Sequence, residues 1–232
     1  MNMPPVDVLV ITPHPDDAEF GAAGTVARWI REGKTIVYAA VTSGDKGTSD
    51  VNMKPEELAR IREEEQRCAA GVLGVREVTF LRYLDQALED TPEFRRDIVR
   101  LIRKYRPYTV ISADPYRRYL WHRDHRITGR VVLDAIFPYA RDLLAYPELL
   151  EEGLLPHKVK EVLLWATEDP NYWVDVTDTF PLKMAALNCH KSQMGKHMPS
   201  NIEDWLRERA QNMAQGQGFE LAEAFHREEI TR

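Results

Sequence analysis

The sequence predicts an α/β domain in which a mostly parallel sheet is flanked by helices. Short β-branched, apolar runs recur along the chain, and a longer stretch of helical period follows each one. Proline, acidic and glycine residues mark where those stretches begin and end. Val8 to Thr12 reads as the first strand, its run Val8-Leu9-Val10-Ile11 apolar enough to be buried, and a helix is expected near Glu19 to Glu32. Thr35 to Val41 is the second strand. The helix from Pro55 to Leu73 opens on Pro55-Glu56-Glu57, because proline suits a first helical turn and the two acids favour the positive end of the helix dipole; Gly71 and Gly74 mark its end. Strands at Glu77 to Phe80 and Thr109 to Ala113, with helices at Pro92 to Tyr105 and His125 to Ile136, continue the alternation, and Val162 to Trp165 adds a fifth strand. Beyond Asp134 the pattern loosens. Phe137 to Pro156 reads as an excursion, Asp178 to Cys189 as a helix capped by Asp178, Ile202 to Gln215 as another helix, and Gln215-Gly216-Gln217-Gly218 as a flexible connection.

Residues 1–232 are read as a single domain, since no repeat or long low-complexity linker divides them. Apolar residues make up 44% of the chain, and no uninterrupted stretch is long enough for a membrane helix, so no membrane partner is expected. The first seven residues lack a basic region followed by an apolar core, which makes a cytoplasmic location the default expectation. Cys68 and Cys189 lie far apart without CxxC spacing, so neither a disulfide nor a thiolate metal site is expected, and both read as small core residues. The net charge of −6 argues against a nucleic-acid partner. One local basic segment stands out: Arg117, Arg118, Arg123, Arg126 and Arg130, read either as a solvated helix face or as an anion site.

The chemistry concentrates in two clusters. Pro13-His14-Pro15-Asp16-Asp17 follows the first strand, and His122-Arg123-Asp124-His125 lies shortly after the fourth. Strand ends are where α/β enzymes place their active sites. Pro15 excludes a helical conformation at His14, so the chain stays extended there and turns only at the aspartates. That turn can aim His14 and Asp17 at one metal, while Asp16 projects elsewhere. A catalytic zinc needs three protein ligands and an open position, and His125 is the expected third. His122, three residues earlier, can then face the substrate. The same two-histidine, one-carboxylate set also suits Fe(II), so the metal is read as Zn2+ with Fe2+ or another divalent ion as alternatives. The free Asp16 favours hydrolysis. A metal lowers the pKa of water from ~15.7 towards ~7, Asp16 takes the proton, and a carbonyl is attacked. His122, if protonated, would stabilise the oxyanion or protonate the leaving amine, and Asp124 would orient His122 or a ligand histidine.

These residues resemble the LmbE-like, or PIG-L, family of metal-dependent N-deacetylases, which pairs a (Pro/Ala)-His-Pro-Asp-Asp motif with a later His-x-Asp-His motif. Further similarity lies in Gly21-Ala22-Ala23-Gly24-Thr25, Thr42-Ser43-Gly44 with Gly47, Arg62 to Glu65, and Lys183 to Gln193. The resemblance implies a Rossmann-like three-layer sandwich, zinc as the usual metal, and removal of an N-acyl group from an amino sugar such as an N-acetylglucosamine conjugate. It makes His14, Asp17 and His125 the ligands, Asp16 the base and His122 the electrophilic or acid residue. Arg62 and Asp85 match positions that meet the substrate's anionic or hydroxyl-rich parts. Arg123 replaces a frequent proline and could add a cation beside the pocket. Tyr116 or Tyr119 could stand in for a tyrosine that precedes the first histidine in relatives acting on thiol-linked sugars. His190 could approach the pocket or buttress a helix end. A homo-oligomer, such as a hexamer, is implied as well.

Other readings remain at this level. A related amidase could act on a non-sugar or thiol-conjugate amide. A nucleotide-binding module is suggested by the strand and helix order alone, but the acids in the first turn would repel a pyrophosphate. A non-catalytic metal-binding module would close the site with protein ligands.

Overall fold

The computed structural model describes residues 4–119, 121–194 and 201–231. In chain order its elements are β1 (Val8–Thr12), α1 (Asp17–Arg31), β2 (Ile36–Thr42), α2 (Pro55–Leu73), β3 (Glu77–Tyr83), α3 (Pro92–Tyr105), β4 (Thr109–Ala113), α4 (Arg123–Asp134), a π-helical turn (Ala135–Tyr139), α5 (Glu148–Glu151), β5 (Glu161–Trp165), β6 (Tyr172–Asp175), α6 (Phe180–Leu187), α7 (Lys191–Met194), α8 (Ile202–Ala214) and β7 (Ala222–Glu229).

The sheet runs β3-β2-β1-β4-β5-β7-β6. Its first five strands are parallel, and β7 then pairs antiparallel with both β5 and β6. β1 lies centrally, Val8 facing Ile36 on one side and Thr109 on the other. Its alternating side chains feed two cores. Val8 and Val10 pack with α1, α6 and α8, whereas Leu9 and Ile11 pack with α3 and α4. This is the three-layer sandwich that the resemblance implied. Strand order reverses direction between β1 and β4, and in such sheets the crevice outside the carboxyl ends of those two strands is the natural binding place.

The departures from expectation lie mainly in the C-terminal half. α6 starts at Phe180 rather than after an Asp178 cap, with Pro181 in its first turn. α4 starts at Arg123, two residues before the expected start, which leaves His122 extended at the helix entrance. It passes into the π turn, where Pro138 interrupts the regular ladder. Cys68 and Cys189 form a disulfide, against the expectation from their spacing. They are 121 residues apart in sequence, but packing of α2 against α6 brings their Cα atoms to 5.9 Å. Among the described residues, no helix is long and apolar enough to cross a membrane.

Candidate metal centre

Both sequence clusters meet at the predicted crevice. β1 delivers His14 through the extended Pro13-His14-Pro15 segment, and α1 begins at Asp17. Between them, Asp16 adopts a left-handed backbone conformation with φ of 90°, uncommon for a residue other than glycine. Several contacts hold it there. Gln66 Oε1 accepts the Asp16 amide at 3.0 Å, and Gln66 Nε2 donates to Glu19 Oε1 at 2.8 Å. Glu19 Oε2 lies 3.3 Å from Nε2 of the fully buried His190. His190 therefore buttresses the loop from beneath.

Arg62 is buried, and its guanidinium closes the same turn. It donates to Gly44 O at 2.9 Å, to Pro15 O at 2.6 Å and to Asp16 Oδ2 at 3.1 Å. Gly44 has φ of 62°, and any Cβ there would collide with the Arg62 guanidinium, so the Thr42-Ser43-Gly44 segment needs its glycine. Gln66, one helical turn after Arg62 on α2, and Glu19 were not singled out in the sequence. The i, i+4 spacing of Arg62 and Gln66 was the available signal.

One carboxylate oxygen organises the centre. Asp17 Oδ2 lies 3.0 Å from His14 Nδ1 and 3.2 Å from His125 Nε2, and also accepts the His14 amide at 3.0 Å. The other His14 nitrogen faces Asp124 Oδ2 at 3.1 Å and Asp85 Oδ1 at 3.3 Å. Asp124 is itself fixed by the Gln86 amide at 2.7 Å, so it orients His14 rather than His122. Asp85 is braced by the Lys46 amide at 3.1 Å. His122 stands edge-on to His14 with ring centroids 4.7 Å apart, and 4.9 Å from His125; the three imidazoles are close enough to share an ion.

Arg123 does not join this cluster. It donates to Leu88 O at 2.9 Å and faces Glu89 at 3.6 Å. Tyr116 and Tyr119 are exposed. Leu120 lies outside the described residues.

Charge follows this packing. Burial alone would lower the His14 pKa, but hydrogen bonds to Asp124, Asp17 and Asp85 outweigh it and hold the ring well above its ordinary value. Burial would raise Asp17, yet His125 and His14 keep it well below the usual carboxylate range. Asp85 is lowered despite burial, chiefly by His14. Burial pushes Asp16 up to about 7, with Arg62 opposing and Asp17 adding to the rise. Two neighbouring carboxylates are thus driven apart, the pattern that separates a charge-bearing role from a proton-handling one. His122 is lowered by burial and by the charges of His14 and His125.

The sequence pattern of the GlcNAc-PI de-N-acetylase family, PIG-L, matches residues 9–136, a span that contains both clusters. The chain belongs to the PIG-L family. Diacetylchitobiose deacetylase of Thermococcus kodakarensis is 36% identical over 93% of this chain and 80% of its own length. A probable N-acetyl-alpha-D-glucosaminyl L-malate deacetylase 2 of Bacillus anthracis is 30% identical over 80% of each chain. Among solved structures, N,N'-diacetylchitobiose deacetylase from Pyrococcus horikoshii superposes with a TM-score of 0.91 at 33% identity, over 96% of this chain and 84% of that one. This PIG-L chain is accordingly an N-deacetylase, a hydrolase of amide C–N bonds.

Proposed function

We propose that this PIG-L protein removes the N-acetyl group from an N-acetylglucosamine conjugate, using zinc held by His14, Asp17 and His125. The observation that carries the reading is the convergence of His14 Nδ1 and His125 Nε2 on Asp17 Oδ2, with the carboxylate of Asp16 set apart on Arg62. Two imidazole nitrogens and one carboxylate oxygen fit zinc, and they suit Fe(II) as well. Such a cation, when bound, polarises the amide carbonyl and makes a water more acidic.

The remaining work falls to the chain's own side chains. Asp16 receives the proton of the attacking water, and a carboxylate pushed up to about 7 can accept and return a proton near neutral pH. His122 sits at the mouth with its basicity reduced, so it acts as a neutral N–H donor to the developing oxyanion rather than as a cation. Asp124 fixes the ring orientation of His14. Asp85 and Arg62 border the centre on the α2 and β3 side, where the resemblance assigns sugar hydroxyls; Arg62 also restrains the base. Arg123 remains a candidate contact for an outlying substituent.

The proposal includes a cytoplasmic homo-oligomer, supported by exposed apolar side chains at Phe137, Leu143, Leu144 and Leu155; sedimentation of the purified protein tests the assembly. The activity is tested by acetate release from N-acetylglucosamine conjugates, including diacetylchitobiose, by zinc-loaded protein. Turnover supports the proposal. A metal-loaded protein inactive on a broad panel of N-acyl substrates would overturn it.

A further inference from the structure

Asp17 and His125 also border an open cavity of about 210 Å3 beside α1, α6 and α8. Part of its wall is apolar, built from Phe20, Trp165, Val176, Phe180, Leu206 and Met213. The Trp165 ring packs directly on Gly21, where an added Cβ would lie 2.6 Å from it, so the glycine sets the position of this wall. An apolar cavity of ~150 Å3 already admits benzene, so this one is much larger than an acetyl methyl needs.

The cavity's charges divide into matched and unmatched groups. Lys183 Nζ is held by Glu223 Oε1 at 2.6 Å and by Phe20 O at 2.8 Å, and Glu223 also accepts the amides of Gly24 and Thr25. Arg117 and Arg209 line the same cavity without an ion pair to any described carboxylate. Asp114, on the same lining, accepts the Tyr116 amide at 2.8 Å. Burial and the neighbouring Arg117 both depress Arg209, as expected for two cations lacking a counter-ion.

An amide cleaved at this centre has two halves needing different surroundings. The hydroxyl-rich amine half suits the polar side, where Asp85 and Arg62 lie. The acyl half is the one that gains from leaving water. We propose that the cavity is the acyl subsite, shaped for a chain of several carbons that ends in a carboxylate held by Arg117 and Arg209. This rests on the deacylation proposed above and extends it from acetyl to longer, anionic acyl groups. In the reaction, water oxygen bonds to the acyl carbon, the C–N bond breaks, and a proton passes to the departing nitrogen. The products are the free amine and the acid, which here is a dicarboxylate.

The test compares N-acetyl-, N-hexanoyl- and N-adipoyl-glucosamine with zinc-loaded enzyme, and titrates adipate, hexanoate and acetate into the protein without substrate. The expected result is kcat/KM for the adipoyl amide above that for the acetyl amide by roughly tenfold or more, with hexanoyl between them. Replacing both Arg117→Gln and Arg209→Gln should bring adipoyl down to the hexanoyl level. Adipate should bind saturably and acetate should not, and Ala210→Phe, which places a ring in the cavity, should remove adipate binding. Preference for acetyl together with no saturable adipate binding overturns the proposal. Equal use of hexanoyl and adipoyl amides, unmoved by the arginine changes, overturns the role of the arginines. If adipate binds while no amide is cleaved, the deacylation reading falls and the acid-binding cavity stands.

Discussion

Arg62 and Asp16 are joined by a 3.1 Å contact in which the guanidinium is itself anchored to two backbone carbonyls, so the arginine sets both the position and the charge of the carboxylate. Replacing Arg62 with alanine removes the main influence that holds the Asp16 pKa down to about 7. Asp16 then ionises only at higher pH, and a base that must be ionised loses activity on the acid side. The acid limb of kcat/KM should move up by about one unit, with activity falling roughly fivefold at pH 7 and roughly tenfold well below it. A pH–rate profile checks this, and an unmoved limb would refute the restraint.

The ligand and base roles separate by metal content. Asp16→Ala should retain the metal and lose turnover by roughly 100- to 10,000-fold, the usual contribution of a general base. His14→Ala and His125→Ala should lose the metal itself. Asp124→Asn, which weakens the support behind His14, should reduce metal affinity by about 10- to 100-fold while leaving a site that loads at high metal concentration. Metal analysis and chelator competition measure all four. Tight metal retention by His125→Ala would exclude it as a ligand.

Proton linkage gives a prediction for the metal-free protein. His14 is raised above 6.5, so its contribution to stability is complete below that value and is lost as pH rises through the folded pKa. Asp16 is raised from 3.8 to about 7, so its burial becomes costly over that interval as pH rises. Both effects act in one direction. Tm of metal-free protein should fall as pH rises from about 5 to about 8. Zinc binding near pH 7 should release about one proton, because a ligand imidazole must be neutral. Calorimetry in buffers of different ionisation enthalpy counts that proton, and a buffer-independent heat would contradict it.

The Cys68–Cys189 disulfide joins α2 to the segment after α6, the two regions that supply Gln66 and His190. Its reduction, or Cys68→Ser, should lower stability by about 2–4 kcal/mol, with free thiols appearing only after reductant is added. Thiol titration and denaturant unfolding test this; two free thiols in untreated protein would show that the bond does not form.

The parallel half of the fold was legible because β1, β2, β4 and most of β5 are buried and therefore read as continuous apolar runs, as Val8-Leu9-Val10-Ile11 does. β6 and β7 were missed for the opposite reason. The end of β7, His226-Arg227-Glu228-Glu229, is polar and largely exposed, and β6 has only four residues at the sheet edge. The metal cluster was legible because His14 and Asp17 are local to one turn, and His125 lies in a motif that repeats the same residue types. Glu19, Gln66 and the disulfide arise from contacts between elements distant in sequence, which no local spacing records.

The chain's two kinds of site residue are distributed unevenly along it. All three proposed ligands and Asp16 fall within residues 9–136, whereas the cavity adds Trp165, Phe180, Leu206, Met213 and Arg209 from the part that follows to Phe20 and Arg117 from the same span. The antiparallel addition of β7 and β6 to the sheet is what brings much of this later stretch alongside the centre. Reaction chemistry therefore lies in one stretch, while choice of substrate is shared between the two. Grafting the segment after residue 136 from a relative should change the acyl range while the host keeps its own metal, base and Arg117.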